Sequence, residues 1–120
     1  MIEQIQGKLI KKTPTFCVVD CHGVGLGVYI SLITYESLND KNEEIALLTY
    51  LHVREDALQL FGFITDEERN IFRMLMSISG IGPKLAITIL SGLSVQELVE
   101  AIATEDFMQL TQIPGVGKKT

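Results

Sequence analysis

The 120-residue sequence has no tryptophan, only two cysteines and three prolines, and fewer basic than acidic residues. No apolar run reaches the roughly 18 residues of a membrane-spanning helix. The start, Met1-Ile2-Glu3-Gln4, lacks the basic and apolar parts of a signal peptide. These absences favour a cytoplasmic protein with no membrane partner. With 47% hydrophobic residues, the chain is too apolar to be disordered and has the length of one domain or two small ones.

The few cysteines and histidines indicate neither a disulfide nor a metal site. Cys17 and Cys21 fall in one run of strand-forming residues, where positions four apart are separated by ~13 Å. A disulfide needs Cα atoms within ~7 Å, so two reduced thiols are predicted. His22 and His52 have no partner at metal-ligand spacing. We therefore expect neither a metal nor a cofactor.

The charge balance argues against a general nucleic-acid binder. The net charge is -5, with 5 basic and 8 acidic residues in the first sixty positions and 5 and 7 in the last sixty. Neither half has the basic surface that usually marks such proteins. Any contact with DNA must then come from local geometry.

Residues 5–63 have the composition of a β domain. Turn residues separate short runs rich in β-branched and aromatic side chains, and Gly23 to Gly27 allows one of the reversals. The predicted strands are Ile5–Ile10, Thr15–Cys21, Val28–Ile33, Ile45–Val53 and Ala57–Phe63. Five short strands favour a small closed barrel of the oligonucleotide-binding (OB) type, with a split sandwich as the alternative.

After Phe63 the hydrophobic period becomes helical. Thr65-Asp66-Glu67-Glu68 has the pattern of a capping box, in which Glu68 would reach back to the start of the helix. Further helices are predicted from Pro83 to Leu90, from Ser94 to Ala103 and from Thr104 to Leu110. The sequence thus predicts an α+β chain, with a barrel domain at 1–63 and a helical domain at 64–120.

A repeat in the helical half is the most informative feature. Ile78-Ser79-Gly80-Ile81-Gly82-Pro83-Lys84 recurs as Ile113-Pro114-Gly115-Val116-Gly117-Lys118-Lys119. In both copies a helix leads into two glycines that flank one aliphatic residue. Tandem helix-hairpin-helix motifs have this pattern.

The residue types of the repeat suit phosphate binding. The first glycine can adopt the positive φ of a helix end, and the second lets backbone approach a ligand. The next helix then presents its amides and partial positive charge to an anion. Such contacts position a protein on DNA without reading bases. The predicted phosphate-binding residues are Ser79, Gly80, Ile81, Gly82, Lys84, Gly115, Val116, Gly117, Lys118 and Lys119. The alternative is that the glycines serve helix packing alone.

The chain resembles the RuvA family of bacterial Holliday-junction-binding subunits over essentially its whole length. The resemblance rests on both glycine motifs, on Val53-Arg54-Glu55-Asp56-Ala57 and on Leu60-Phe61-Gly62-Phe63. It implies a non-catalytic homotetramer that holds an open four-way junction. It also implies two partners, a RuvB-like motor ATPase and a RuvC-like resolvase.

The resemblance gives a role to the turn at Glu55 and Asp56. On the residues alone, this pair is a solvated hairpin turn. In the family, the matching acidic pair forms a pin near the junction centre, where carboxylates repel phosphates and favour strand separation. Arg54 beside them becomes a candidate DNA contact.

The chain departs from the family pattern at its end and at Ser79. It stops three residues after Gly117, so the helix that completes the second hairpin and the third domain that engages the motor are expected to be missing. We therefore expect a fragment of a longer protein. Ser79 stands where some relatives carry other small polar residues.

Other functional classes have weaker support. Gly23-x-Gly25-x-Gly27 does not open a predicted helix, as a dinucleotide site requires. A DNA glycosylase would need a catalytic aspartate, for which Asp106 is the one downstream candidate, and a pocket for a flipped base. A protein-interaction module would show no salt-sensitive affinity for DNA. A DNA-backbone-binding appendage of a repair nuclease or ligase is the nearest alternative.

Overall fold

The computed structural model describes residues 1–92 together with Glu97 and Glu100. The strands are β1 (Gln4–Thr13), β2 (Phe16–Cys21), β3 (Val24–Ile30), β4 (Glu44–Val53) and β5 (Leu58–Phe63), and the helices are α1 (Leu32–Ser37), α2 (Asp66–Met76) and α3 (Pro83–Gly92). The chain divides into two compact units, Met1–Arg69 and Asn70–Thr120.

The five strands close into a barrel in the order β1-β2-β3-β5-β4. All neighbours are antiparallel except β3 and β5, which run parallel and pair Tyr29 with Phe61. Strand β1 closes the barrel because it pairs with both β2 and β4, and a β-bulge between Leu9 and Lys11 bends it. With α1 between β3 and β4, this is an OB-type barrel. The predicted five-stranded barrel followed by helices is confirmed.

Alternating apolar residues form the barrel core. In β1 the side chains of Ile5 and Leu9 are buried while their neighbours are exposed. Cys17 is fully buried in this core, and burial raises the pKa of its thiol to about 11. Cys21 is half-buried in the same strand. Both are free thiols, as predicted.

The turn between β2 and β3 is tighter than predicted. His22 and Gly23 both have positive φ, which closes a two-residue hairpin loop between Cys21 and Val24. The reversal therefore ends at Gly23, and the prediction that it extends to Gly27 is wrong. Gly27 belongs to β3, where the ring of Phe16 covers it.

Helix α1 is an element that the sequence prediction missed. Val28–Ile33 was expected to be one strand, but β3 ends at Ile30 and Leu32 begins the helix. The buried hydroxyl of Ser31 caps it by accepting the Thr34 amide at 3.1 Å. The β-branched and aromatic residues of this segment favour strand, and the cap overrides that preference.

The predicted capping box is half right. The Thr65 hydroxyl accepts the Glu68 amide at 3.1 Å, as expected. The Glu68 carboxylate, however, is fully buried and turns to α1, where it accepts hydrogen bonds from the hydroxyls of Ser31 and Thr34. A buried carboxylate needs such donors, and a site at the edge of the barrel supplies two.

The side chains of α2 and α3 that are buried recur at helical spacing. They are Ile71, Phe72 and Leu75 from α2 and Ala86, Ile89 and Leu90 from α3. Within the described part of the chain, no helix has the length and apolarity to cross a membrane. Of the helix predicted from Ser94 to Ala103, only Glu97 and Glu100 are described, and both are helical. The helix predicted from Thr104 and the second hairpin lie outside the described residues.

Candidate nucleic-acid interface

The first hairpin begins where α2 ends. The Ser77 amide donates to the carbonyls of Arg73 and Met74, and the Ile78 amide donates to Leu75 at 3.1 Å, which tightens the last turn. Gly80 then adopts a φ of +88°, a conformation that glycine favours. The Ile81 amide donates to the Ile78 carbonyl at 3.1 Å, so the reversal is compact.

Helix α3 begins immediately after the reversal. The Ala86 amide donates to the Gly82 carbonyl at 2.9 Å, which makes Gly82 the residue before the helix and Pro83 its first residue. Proline suits this position because the amide it lacks would have no acceptor within the helix. The amides of the first turn and the helix dipole give this end a partial positive charge.

The two glycines of the hairpin differ in what the fold requires of them. Gly80 needs its positive φ. Gly82 has no positive φ, and a Cβ atom built on it would meet no atom of the described residues within 4 Å. Gly82 is also exposed. The described fold therefore gives no reason for glycine at position 82, whereas a ligand that comes close to the backbone would give one.

The predicted residues of the first hairpin form one continuous surface segment. Ser79, Gly80, Gly82 and Lys84 are exposed, and Ile81 between the glycines is half-buried. Lys84 lies in the first turn of α3, where its charge adds to that of the helix end. The second set of predicted contacts, at 115–119, lies outside the described residues.

The acidic pair lies at the tip of the β4–β5 hairpin. The Arg54 amide donates to the Ala57 carbonyl at 2.9 Å and closes the turn. Arg54, Glu55 and Asp56 are all exposed. The two carboxylates at this closed turn place a local concentration of negative charge on the barrel surface.

Sequence reasoning missed two apolar side chains beside this pair. Val53 and Leu58 face each other across the hairpin, and they are 64% and 71% exposed. The one sequence signal that marks these two residues is that both continue the apolar alternation of their strands. The alternation alone predicted buried positions and could not show that the barrel core ends before them.

A polar groove of about 480 Å³ lies elsewhere on the barrel, between β1, β2 and β4. Its lining carries both charge signs, from Lys8, Asp20 and Glu44, together with His22. Over the described residues, no three His, Cys, Asp or Glu side chains group so as to hold a metal ion. Because its lining carries both positive and negative charge, the groove is not expected to attract phosphate.

Both halves of the chain match known families. A family model described as RuvA N terminal domain matches residues 1–62, and one described as SAM-like Helix-hairpin-helix tandem matches residues 72–120. Curated proteins from Polynucleobacter asymbioticus, Janthinobacterium sp. and Chlorobium phaeobacteroides are 50%, 48% and 49% identical to the whole chain. Each is named Holliday junction branch migration complex subunit RuvA. The chain spans 62%, 63% and 60% of their lengths, which is about three fifths.

Proposed function

The chain belongs to the RuvA family, and from this premise we propose that it binds four-way (Holliday) DNA junctions and holds them open for branch migration. The relatives' names place them in a Holliday junction branch migration complex, and the proposal extends this role to recombination and repair. In this proposal the chain is cytoplasmic and catalyses no reaction of its own. Residues 1–63 form the barrel domain, and residues 64–120 form the DNA-binding domain.

The exposed position of Gly82 is the observation that carries the proposal. This glycine is exposed, its φ is not positive, and within the part of the chain that the structure describes no atom lies within 4 Å of a Cβ built on it. Glycine at this point leaves room for a phosphate to reach the start of α3, where amides and the helix dipole attract an anion. Lys84 in the same turn adds a cation. The second hairpin repeats these residue types at 115–119 and would hold a second phosphate group.

The acidic turn supplies the preference for a junction over duplex DNA. Glu55 and Asp56 are exposed at the tip of a closed hairpin. Carboxylates beside a continuous double helix would face its phosphates, which costs binding energy. At a crossover the strands part, so the same carboxylates can lie between them. Arg54 next to them would contact a nearby phosphate.

The assembly and the partners are part of the proposal. Four copies around one axis would present four pairs of helix-hairpin-helix motifs, with one pair on each arm of the junction. A RuvB-like ATPase would then move the arms, and a RuvC-like resolvase would act on the same junction. Local positive surfaces, brought together by assembly, would offset the net charge of -5.

Gel shifts across a salt series, with a four-way junction and with duplex of the same sequence, test the proposal. We expect selective junction binding that weakens steeply with salt, because each neutralised phosphate adds about 0.9 to the slope of log K against log salt. Glu55→Lys/Asp56→Lys should strengthen duplex binding and reduce the selectivity. Glu43→Lys/Glu44→Lys, which reverses another exposed pair of consecutive acidic residues, at the start of β4, is the matched control.

Equal affinity of the wild type for junction and duplex would contradict the junction proposal and favour a general DNA-backbone-binding appendage. Selectivity that both double variants reduce equally would assign the effect to net charge and not to the pin.

A further inference from the structure

The β4–β5 hairpin carries an apolar pair directly behind its acidic tip. Val53 and Leu58 are the last cross-strand pair before the turn Arg54–Ala57, and they are 64% and 71% exposed. Directly opposed residues in an antiparallel ladder project from the same face. The two side chains thus form one small apolar surface beside Glu55 and Asp56.

This surface continues the inner face of the barrel. Two positions back along each strand, Leu51 pairs with Leu60, and both pack in or against the barrel core. Side chains two apart in a strand share a face. The apolar row therefore runs from the core out to the hairpin tip, where water surrounds its last pair.

We propose that Val53 and Leu58 pack against the faces of nucleobases that lose their stacking partners at the centre of a four-way junction. The proposal rests on the proposed function and deepens it. Glu55 and Asp56 repel phosphates from the hairpin tip, so the part of the DNA that can approach is the uncharged part, the bases. An unstacked base exposes a broad apolar face, and an aliphatic pair on a closed hairpin covers it. The carboxylates separate the strands, and the apolar pair stabilises the separated bases.

A second copy of the chain fits this surface less well. A stable protein interface buries roughly 800 Å² on each partner, and two aliphatic side chains offer far less. Two such hairpins placed against each other would also bring four carboxylates together. A single base face is close to the size of the pair.

The test is a double-mutant cycle between the protein and the crossover. Val53→Thr/Leu58→Asn is measured against a junction with intact central base pairs and against one whose central nucleotides are abasic. We expect the double variant to bind the intact junction on the order of tenfold more weakly, because part of the apolar burial of two side chains is lost. On the abasic junction, the variant and the wild type should bind equally. The salt slope should not change, since no phosphate contact is lost.

Ile10→Thr is the matched control, because Ile10 is an apolar strand residue, 40% exposed, in β1. It should leave binding to both junctions unchanged. Thermal melting of each variant checks that the substitutions leave the fold intact.

Three outcomes would overturn the inference. The first is unchanged junction affinity of the double variant, and the second is an equal loss on the intact and the abasic junction. The third is a lower molecular mass of the variant in sedimentation without DNA, which would make a second copy the occupant. If the wild type binds the intact junction no more tightly than duplex of the same sequence in the gel shifts described above, the proposed function itself fails, whereas each of the three outcomes here can occur while that preference is intact.

Discussion

At the residue scale, two thiols of the same strand have different environments. Cys17 is fully buried, and this burial raises the pKa of its thiol from 9.0 to about 11. Cys21 is half-buried, and its pKa is raised chiefly by burial as well. The thiolate is the reactive form, so both thiols are protonated and slow to react at neutral pH. Cys17 is shielded by packing in addition.

We expect iodoacetamide at about pH 8 to alkylate Cys21 before Cys17, with Cys17 reacting only when the barrel opens. Peptide mass spectrometry of the singly modified protein checks the order. Predominant modification of Cys17 in the folded chain would contradict the assigned burial.

The raised pKa of Cys17 also predicts a pH dependence of stability. Because the folded thiol holds its proton more tightly than the unfolded thiol, its contribution is complete below pH 9.0 and is lost as the pH rises towards about 11. In urea unfolding, the stability advantage of the wild type over Cys17→Ala should therefore shrink over this range. An advantage that stays constant with pH would contradict the assignment.

At the element scale, the barrel depends on close approach of its strands. Gly7 in β1 pairs with Ile45 in β4, and a Cβ built on it would collide with the backbone carbonyl of Asp20 in β2. Gly25 in β3 is also a strand glycine, but a Cβ there would make an ordinary contact of 3.7 Å with Val18. The two positions separate the need for close backbone approach from the general cost of a side chain.

We expect Gly7→Ala to lower the free energy of unfolding by about 1 to 3 kcal/mol, because backbone atoms must move to accept the added methyl group. Gly25→Ala, the matched control, should change it by less than about 0.5 kcal/mol. Urea denaturation followed by circular dichroism measures both. Equal effects of the two substitutions would show that the close approach of β1 and β2 at Gly7 does not add to the cost of a side chain there.

Elements differ in how well the sequence predicts them. The strands and α2 were predictable because alternation and helical spacing reflect which side chains face a core. Helix α1 was not, because the burial of Ser31 and its contact with Glu68 depend on a residue 37 positions away. The partners of the Glu68 carboxylate, Ser31 and Thr34, could not be predicted for the same reason, since local sequence patterns do not show contacts between distant segments.

The candidate site was predictable to a similar extent. The glycine spacing around Gly80 and Gly82 indicated a hairpin, and the positive φ of Gly80 agrees with it. The sequence could not show that Gly82 is exposed with no described residue against it, or that the apolar row ends in the exposed pair Val53 and Leu58. Both are consequences of where the packed core stops.

At the scale of the whole molecule, the net charge opposes the proposed function. A chain with a net charge of -5 is repelled by DNA at long range, and salt weakens that repulsion beyond roughly 10 Å. Under the proposed function, DNA binding therefore has to depend on short-range contacts at helix ends, where backbone amides and a nearby lysine would act together. One exposed glycine, Gly82, is therefore expected to be decisive for DNA affinity, although the described fold does not require glycine there.

The most direct test is the junction affinity of Gly82→Asp and Gly82→Ala, measured by fluorescence anisotropy alongside thermal melting, with Gly80→Ala for comparison. We expect both Gly82 variants to melt like the wild type, because no atom of residues 1–92 lies within 4 Å of the added Cβ. We expect Gly82→Ala to weaken junction binding and Gly82→Asp to abolish it, by adding a negative charge where a phosphate would lie. Gly80→Ala should melt earlier, by about 1 kcal/mol in stability, because alanine is strained at a φ of +88°. Wild-type junction affinity in Gly82→Asp would contradict the central claim that this hairpin holds a DNA phosphate.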